Sequence, residues 1–572
     1  MTARALSLGG AVAVGLEGPR VTPSEERAIL AHGVRAFILF ERNLVSPAAA
    51  IRLVDALSDL AWRASGGPPL ILIDEEGGLV SEARRLGTPA PAAMALGAFA
   101  EPALAREWAW RTGRRLAILG AGLVLAPVLD VNTERRNPVI GFRAYGDSPD
   151  LVTRLGLAAI EGYASAGVLC APKHFPGHGG VSIDSHERLP RSLATTSDEA
   201  EPHLAPFRAA IDAGAPAILA AHLAAPALAG GSEAPATLSP EILTELLRGE
   251  LGFRGAVVTD DLAMGALAES GGPEGVAVRA LAAGADLLLY AEGFAGGAGG
   301  AIADDGEGGA AHPAAEAALA AIDRAIAAGA LPESRVAEAI ERIDTLARAS
   351  DDALGGAGCG PRCGAGPAER EAALDAFDQD DGAARARLTP VQEFALGGAS
   401  AGAPVAIGDA AEAAPLAIPI PEGTTVLLPA RLEGRRRRDV PWPPAAGRAL
   451  AALRARVVRF PFNPSESEVA EIVARIGDDR PVVLGLLARG PLSRGQSRLA
   501  ARLLARPGLT IPVALLNPFV LDEIARAASA QRAHRTPLAR GLATFGFEPE
   551  DIAALARVLS GRSRPLAAGK TG

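Results

Sequence analysis

"GFRGAVVTDDLAMGAL", Gly252–Leu267, decides how the fold is read. Its apolar part sets Ala256, Val257 and Val258 on consecutive positions, as in a strand buried on both faces. The run ends on two carboxylates, Asp260 and Asp261, and a turn follows. Seven other runs share this form: "AVAVGL" (11–16), "AFILF" (36–40), "LILID" (70–74), "LVLAPVLD" (123–130), "VLCAPKHF" (168–175), "AILAAH" (217–222) and "LLLYA" (287–291). Each is too short for a helix, and amphipathic stretches such as "SPAAAIRLVDALSDLAWRA" and "SPEILTELLRGEL" lie between most of them. Eight strand–helix units predict an α/β fold, a (β/α)8 TIM-like barrel or a distorted relative, over residues 1–350.

The chain has 572 residues, too long for one core, so further domains are expected. Residues 351–420 are rich in Ala, Gly, Asp and Glu and read as a linker, with local helix at "AEREAALDAF". From 421 to 572 strand–helix alternation returns ("TTVLLPA", "SEVAEIVARIG", "PVVLGLLA", "IPVALLN"). It predicts a smaller C-terminal α/β sheet domain. Hydrophobic residues at 49% and charged residues at 21% fit a globular chain. A net charge of -10 argues against nucleic acid as a partner, and "GRRRRDV" reads as a solvated loop. No run of about 18 apolar residues suggests a membrane span. The opening "MTARALSLGGAVAVGL" is read as a first buried strand, with a secretory leader as the rival. A cytoplasmic location is therefore expected, with export the alternative.

Several apolar runs end in polar residues: Asp74, Asp130, Lys173 with His174, His222, and Asp260 with Asp261. In a parallel barrel these ends converge on one mouth, where side chains from different strands meet. "KHFPGHGGVSIDSHERLP", Lys173–Pro190, holds three of the chain's 8 histidines. Pro176 and three glycines make its middle a loop. Lys173 and His174, adjacent at a strand end, are expected to point to opposite faces or into the first turn. Asp184 and His186 are two apart, so in extended chain the carboxylate reaches the imidazole and fixes its tautomer. That pair suits a general acid/base. Asp260, fixed at a strand end, suits a nucleophile, whereas Asp261 suits a helix cap.

A zinc site is the rival reading of the histidines. "HFPGH" carries Pro and Gly and cannot be a helical His-x-x-x-His, so no metal is expected. The three cysteines give no disulfide framework, and Cys170 reads as a core thiol. The Gly-rich segment after 291 lacks a phosphate-loop ending and reads as a flexible insertion; no cofactor is expected.

"KHFPGHG" with "DSH" downstream, "IDEEGG", "PVLDVN", "NPVIGFRAYG", "AAHLAAPAL", "PATLSPEIL" and "VVTDDLAMGAL" occur in this order. Together they resemble glycoside hydrolase family 3, in particular its bacterial β-N-acetylglucosaminidase (β-hexosaminidase) branch, over about residues 8–348. "LLNPF" and "LATFGFEPEDIAALARVLSGR" are similar to the second domain of longer members. The resemblance implies a retaining exo-β-N-acetylglucosaminidase acting on peptidoglycan fragments or related amino sugars. Asp260 would be the nucleophile, His186 the acid/base and Asp184 its partner. Asp74, Arg143, Lys173 and His174 would hold the sugar.

Three positions depart from the family pattern. Leu79 stands where the family has Arg, Glu82 where a second sugar-binding Arg falls, and Phe142 where Asp is usual. Arg84 and Arg85 are close enough in sequence to substitute. A β-glucosidase, a phosphorylase on the same fold and a non-catalytic sugar-binding protein are the alternatives.

Overall fold

A computed structural model of the chain describes residues 7–185, 188–291, 313–356, 365–388, 391–395, 424–429, 432–433, 439–440, 456–476, 481–488, 492–506, 510–515, 540–544 and 566–567. Eight parallel strands form the first sheet. They are β1 (Val12–Val14), β2 (Ala36–Leu39), β3 (Leu70–Ile73), β4 (Leu123–Val124), β5 (Leu169–Cys170), β6 (Ala217–Ala220), β7 (Ala256–Asp261) and β8 (Leu287–Tyr290). Each lies within one of the eight apolar runs. Their order is β5-β4-β3-β2-β1-β8-β7-β6. The ends approach one another through a parallel bridge between Phe175 and Ala220, so the sheet curls into a nearly closed barrel. The amide of Phe175 donates to the Leu219 carbonyl at 2.9 Å, and that of Ala221 to the Phe175 carbonyl at 2.8 Å.

Strands β4 and β5 are much shorter than their apolar runs. Pro127 and Pro172 supply no N–H where the ladder would continue. The two segments meet again beyond them, where Leu129 donates to the Lys173 carbonyl at 2.6 Å and Lys173 to the Pro127 carbonyl at 3.0 Å.

Helix boundaries follow the local sequence. Helix α1 (Pro23–His32) starts with Pro23 behind a capping box of Thr22 and Glu25, and stops at Gly33 with φ +70. Helix α2 (Pro47–Ser65) repeats this logic with Ser46, Pro47 and Gly66, φ +71.

The barrel interior is packed by alternate residues of its strands, among them Ile38, Leu70, Leu72, Leu123, Leu219, Val258 and Leu287. Ile343, Leu346 and Ala347 join this cluster from one long helix, Glu333–Gly356. The same helix pairs Asp344 with the buried Arg35, just before β2, and its Ser350 packs against Gly122, just before β4. It therefore plugs the end of the barrel where the strands begin. Ile343→Ala should cost about 2–4 kcal/mol through the cavity it leaves. A urea titration would show a lower midpoint with an unchanged slope.

Helix Pro367–Leu388, which includes the expected "AEREAALDAF" helix, lies against α2 and the helix Pro102–Leu119. The buried Arg370 guanidinium reaches Asp55 at 2.5 and 2.6 Å, and Phe377 meets Trp110 with ring centroids 5.9 Å apart.

A second, seven-stranded sheet comprises β9 (Val391–Ala395), β10 (Thr425–Pro429), β11 (Arg456–Phe460), β12 (Val482–Leu486), β13 (Thr510–Ala514), β14 (Arg540–Thr544) and β15 (Leu566–Ala567). Its order is β11-β10-β12-β13-β14-β9-β15, parallel except where β9 runs against β14. It has its own apolar cluster, built on Leu427, Phe460, Leu484, Leu499 and Leu503. Among the described residues no helix is long and apolar enough to cross a membrane.

Candidate active site

Three strand ends deliver one charge network. Asp74 follows β3, and a short hairpin, Glu75–Gly77 with Val80–Ser81, begins immediately after it. The pleat sends its first two side chains to opposite sides. Glu75 turns inward and accepts from Ser81 Oγ at 2.5 Å and from the Ala83 amide at 2.9 Å. Glu76 turns to the mouth. Its Oε2 accepts from Arg143 Nε and its Oε1 from Arg143 Nη2, both at 2.7 Å. Lys173 Nζ lies 2.6 Å from Glu76 Oε1 and also pairs with Asp74.

The two cations and Glu76 are almost wholly buried. Burial alone would raise the Glu76 carboxyl, but Arg143 and Lys173 overcome it and hold the group well below the usual carboxylate range. Burial would lower Lys173, yet Asp74 and Glu76 outweigh it and keep the ammonium charged. Arg143 is raised in the same way by Glu76.

The Lys173–His174 peptide is cis, and both side chains join the same network. Of the two expected arrangements, opposite faces or the first turn, the opposite-faces one does not hold. His174 Nε2 lies 3.0 Å from Arg143 Nη2, and its Nδ1 lies 2.7 Å from Asp130 Oδ2. Asp130 is fully buried, and its Oδ1 accepts from the His178 amide at 2.6 Å. Burial would raise this carboxyl, but His174 and His178 bring it down. The His178 ring is buried too, and desolvation pushes it down to about 4, so it is neutral. His178 braces the loop through its backbone, since Asn137 Nδ2 donates to its carbonyl at 2.8 Å. Asn137 Oδ1 takes the amides of Val139 and Ile140, each at 2.9 Å, and so shapes the turn that presents Arg143.

Across the mouth, β7 ends in Asp260 and Asp261. The Asp261 amide donates to Asp260 Oδ1 at 2.9 Å. Asp261 Oδ1 takes the amides of Ala263 at 3.1 Å and Ala291 at 3.2 Å, which ties β7 to the end of β8. It thus closes the turn after β7 rather than capping a helix as expected, since the short helix Gly265–Leu267 starts after Met264 with no side-chain cap. The buried His222, after β6, lies with Nε2 3.0 Å from the Asp261 carbonyl and Nδ1 2.6 Å from Thr237 Oγ1.

His186 lies outside the described residues. Described residues before and after it, Ser185 and Pro190, are held against the same strand ends. The Ser185 carbonyl accepts from the Ala266 amide, in the turn after Asp260, at 3.0 Å. The Pro190 carbonyl accepts from the Ala224 amide at 2.9 Å. Asp184, Ser185 and Arg188 therefore run between the ends of β6 and β7.

Of the residues expected to hold the sugar, Asp74, Arg143, Lys173 and His174 come together in one network. Glu76 joins them both by charge and by hydrogen bonds, and the sequence reading passed over it. Its signal was the last of three carboxylates, Asp74, Glu75 and Glu76, directly after a strand end. Asp130 and Asn137 belong to the same support.

Arg84 and Arg85 do not replace the missing arginine. Arg84 donates to the Ser81 and Leu79 carbonyls at 3.0 Å, and Arg85 pairs with Glu41 on the surface at 2.8 Å. Glu82 is nearly buried, and its carboxylate accepts from the Glu41 amide at 2.8 Å, so it joins the turn after β2 to the hairpin. Among the described residues no group of three or more His, Cys, Asp or Glu side chains could hold a metal ion.

The motifs and the barrel both find a match. The description "Glycosyl hydrolase family 3 N terminal domain" fits residues 11–346. The chain belongs to glycosyl hydrolase family 3. Within it, a β-hexosaminidase of Alkalilimnicola ehrlichii is 39% identical over 288 residues, 49% of this chain and 80% of that protein. β-Hexosaminidase A of Pseudoalteromonas piscicida is 36% identical over 282 residues, and the chain spans 47% of that relative's length. The solved structure of a family 3 β-N-acetylglucosaminidase from Paenibacillus sp. str. FPU-7 matches with a TM-score of 0.78 and 29% identity. It covers 99% of this chain and 97% of its own. The two-domain arrangement of this family 3 chain thus has a counterpart along nearly its whole length.

Proposed function

We propose that the protein is a retaining exo-β-N-acetylhexosaminidase that removes terminal N-acetyl-β-D-glucosamine from peptidoglycan fragments or related amino sugars. One observation carries the reading. A preassembled grip of Asp74, Lys173, Arg143 and His174, held by Glu76 and Asp130, shares a barrel mouth with Asp260. Carboxylates accept from vicinal hydroxyls, while Lys and Arg donate to the oxygens of a sugar and its acetamido group. The names of the relatives point the same way.

In the first step Asp260 attacks the anomeric carbon and the bond to the leaving oxygen breaks. His186, oriented by Asp184, gives its proton to that oxygen. In the second step the now neutral His186 takes a proton from water. The water oxygen attacks the anomeric carbon and frees the Asp260 carboxylate. An uncharged imidazole leaves no fixed negative charge beside the incoming acceptor.

An aryl β-glycoside panel, with and without phosphate, tests the sugar and the acceptor. Turnover of the N-acetyl-β-glucosaminide alone, independent of phosphate, is expected. Strict dependence on phosphate would make the protein a phosphorylase. A complete lack of turnover across the panel would leave a sugar-binding protein.

His186→Ala should slow substrates with poor leaving groups by about 10²–10⁴-fold while sparing activated aryl glycosides, which need no proton. Equal losses on both would remove His186 from the acid/base role.

A further inference from the structure

We propose that Asp130 is a positioning residue that sets His174 as the neutral tautomer protonated on Nδ1 and, through it, holds Arg143 in the sugar grip. The argument starts from what each group can donate. A guanidinium carries only donors. Arg143 Nη2 lies 3.0 Å from His174 Nε2, so that nitrogen must offer its lone pair. The ring proton then sits on Nδ1 and is donated to Asp130 Oδ2 at 2.7 Å. An ionised carboxylate only accepts, so the two neighbours demand the same tautomer.

The other oxygen of Asp130 is also engaged. Oδ1 accepts the His178 amide at 2.6 Å and the His174 amide at 3.3 Å. One buried carboxylate therefore fixes a side chain of the grip and the start of the loop that leads to Asp184. Asn137 holds the same loop from outside, through the His178 and Gly179 carbonyls, and shapes the Arg143 turn.

Asp130→Asn tests this directly. The Asn carbonyl oxygen can keep the two backbone amides, which leaves its NH₂ group facing His174 Nδ1. The ring must then accept at Nδ1 and carry its proton on Nε2, directly against the N–H groups of Arg143. Two donors cannot share that contact, so Arg143 withdraws from the ring. The kinetic consequence rests on the proposed role of Arg143 as a sugar ligand; the tautomer does not.

The experiment combines long-range ¹H–¹⁵N spectra of ¹⁵N-histidine-labelled protein near pH 7 with steady-state kinetics on an aryl N-acetyl-β-glucosaminide. His174→Gln assigns the His174 signals. Wild-type His174 should show a protonated Nδ1 and a bare Nε2. In D130N that pattern should reverse, and kcat/KM should fall about 10–100-fold, carried more by KM than by kcat. A wild-type Nε2 that bears the proton overturns the proposal even if D130N does not fold. A folded D130N with the wild-type pattern and unchanged KM overturns it as well. If the wild type shows the expected tautomer but no turnover, the proposed activity fails while the tautomer assignment stands.

Discussion

Asp260→Ala is expected to lower kcat on an aryl N-acetyl-β-glucosaminide by about four to six orders of magnitude while leaving the fold intact. The side chain stands at the end of β7, which is paired on both sides, with β6 from Ala217 to Ala220 and with β8 at Leu287 and Leu289. Its loss would remove the attacking atom of the proposed mechanism while the backbone pairing of the strand stays in place. Added azide should restore part of the rate, because a small anion fits where the carboxylate was. The rescued product should be the α-glycosyl azide, since a single displacement inverts the anomeric carbon. A variant that keeps more than about a hundredth of the wild-type rate would remove Asp260 from the nucleophile's role.

Glu76→Ala should cost about 3–5 kcal/mol of stability and abolish detectable turnover, because it strands two buried cations. Arg143 loses its bidentate partner and, among the described residues, Lys173 keeps only Asp74 as an ion-pair partner. The effect should depend on pH. The folded pKa of Glu76 is depressed, so its stabilisation is fully present above the ordinary carboxylate value of about 4.3 and is lost as pH falls from there through the folded value. Urea titrations of both proteins near pH 7 and near pH 3 should show the gap narrowing in acid. An equal gap at both would mean that Glu76 acts by shape rather than by charge.

The barrel was legible because each of its strands is buried on both faces, which leaves an unbroken apolar run such as "LILI" at 70–73. Two staves were overread: Pro127 and Pro172 interrupt the pairing inside runs that look continuous by hydropathy alone. The site was legible wherever a polar residue follows a strand end, as at Asp74, Lys173 and Asp260. Arg143 came only through the motif around it, because it sits on a turn whose shape depends on Asn137. Glu76 was hidden by its twin, since sequence alone does not say which of two adjacent carboxylates faces inward. The same limit applies to Arg84 and Arg85, whose nearness in sequence hid that carbonyls and Glu41 already occupy them.

The broken ladder around Pro127, Pro172 and Pro176 has a mechanical consequence. A two-step displacement asks different things of its two principal groups. The attacking atom must hold one position through both steps, whereas the proton carrier must serve a departing oxygen and then an arriving one. In the proposed mechanism the attacker would be Asp260, on a stave braced on both flanks, and the carrier would sit on the loop that leaves the seam where regular pairing gives way to single bridges. The two proposed duties would thus fall to differently built parts of one ring.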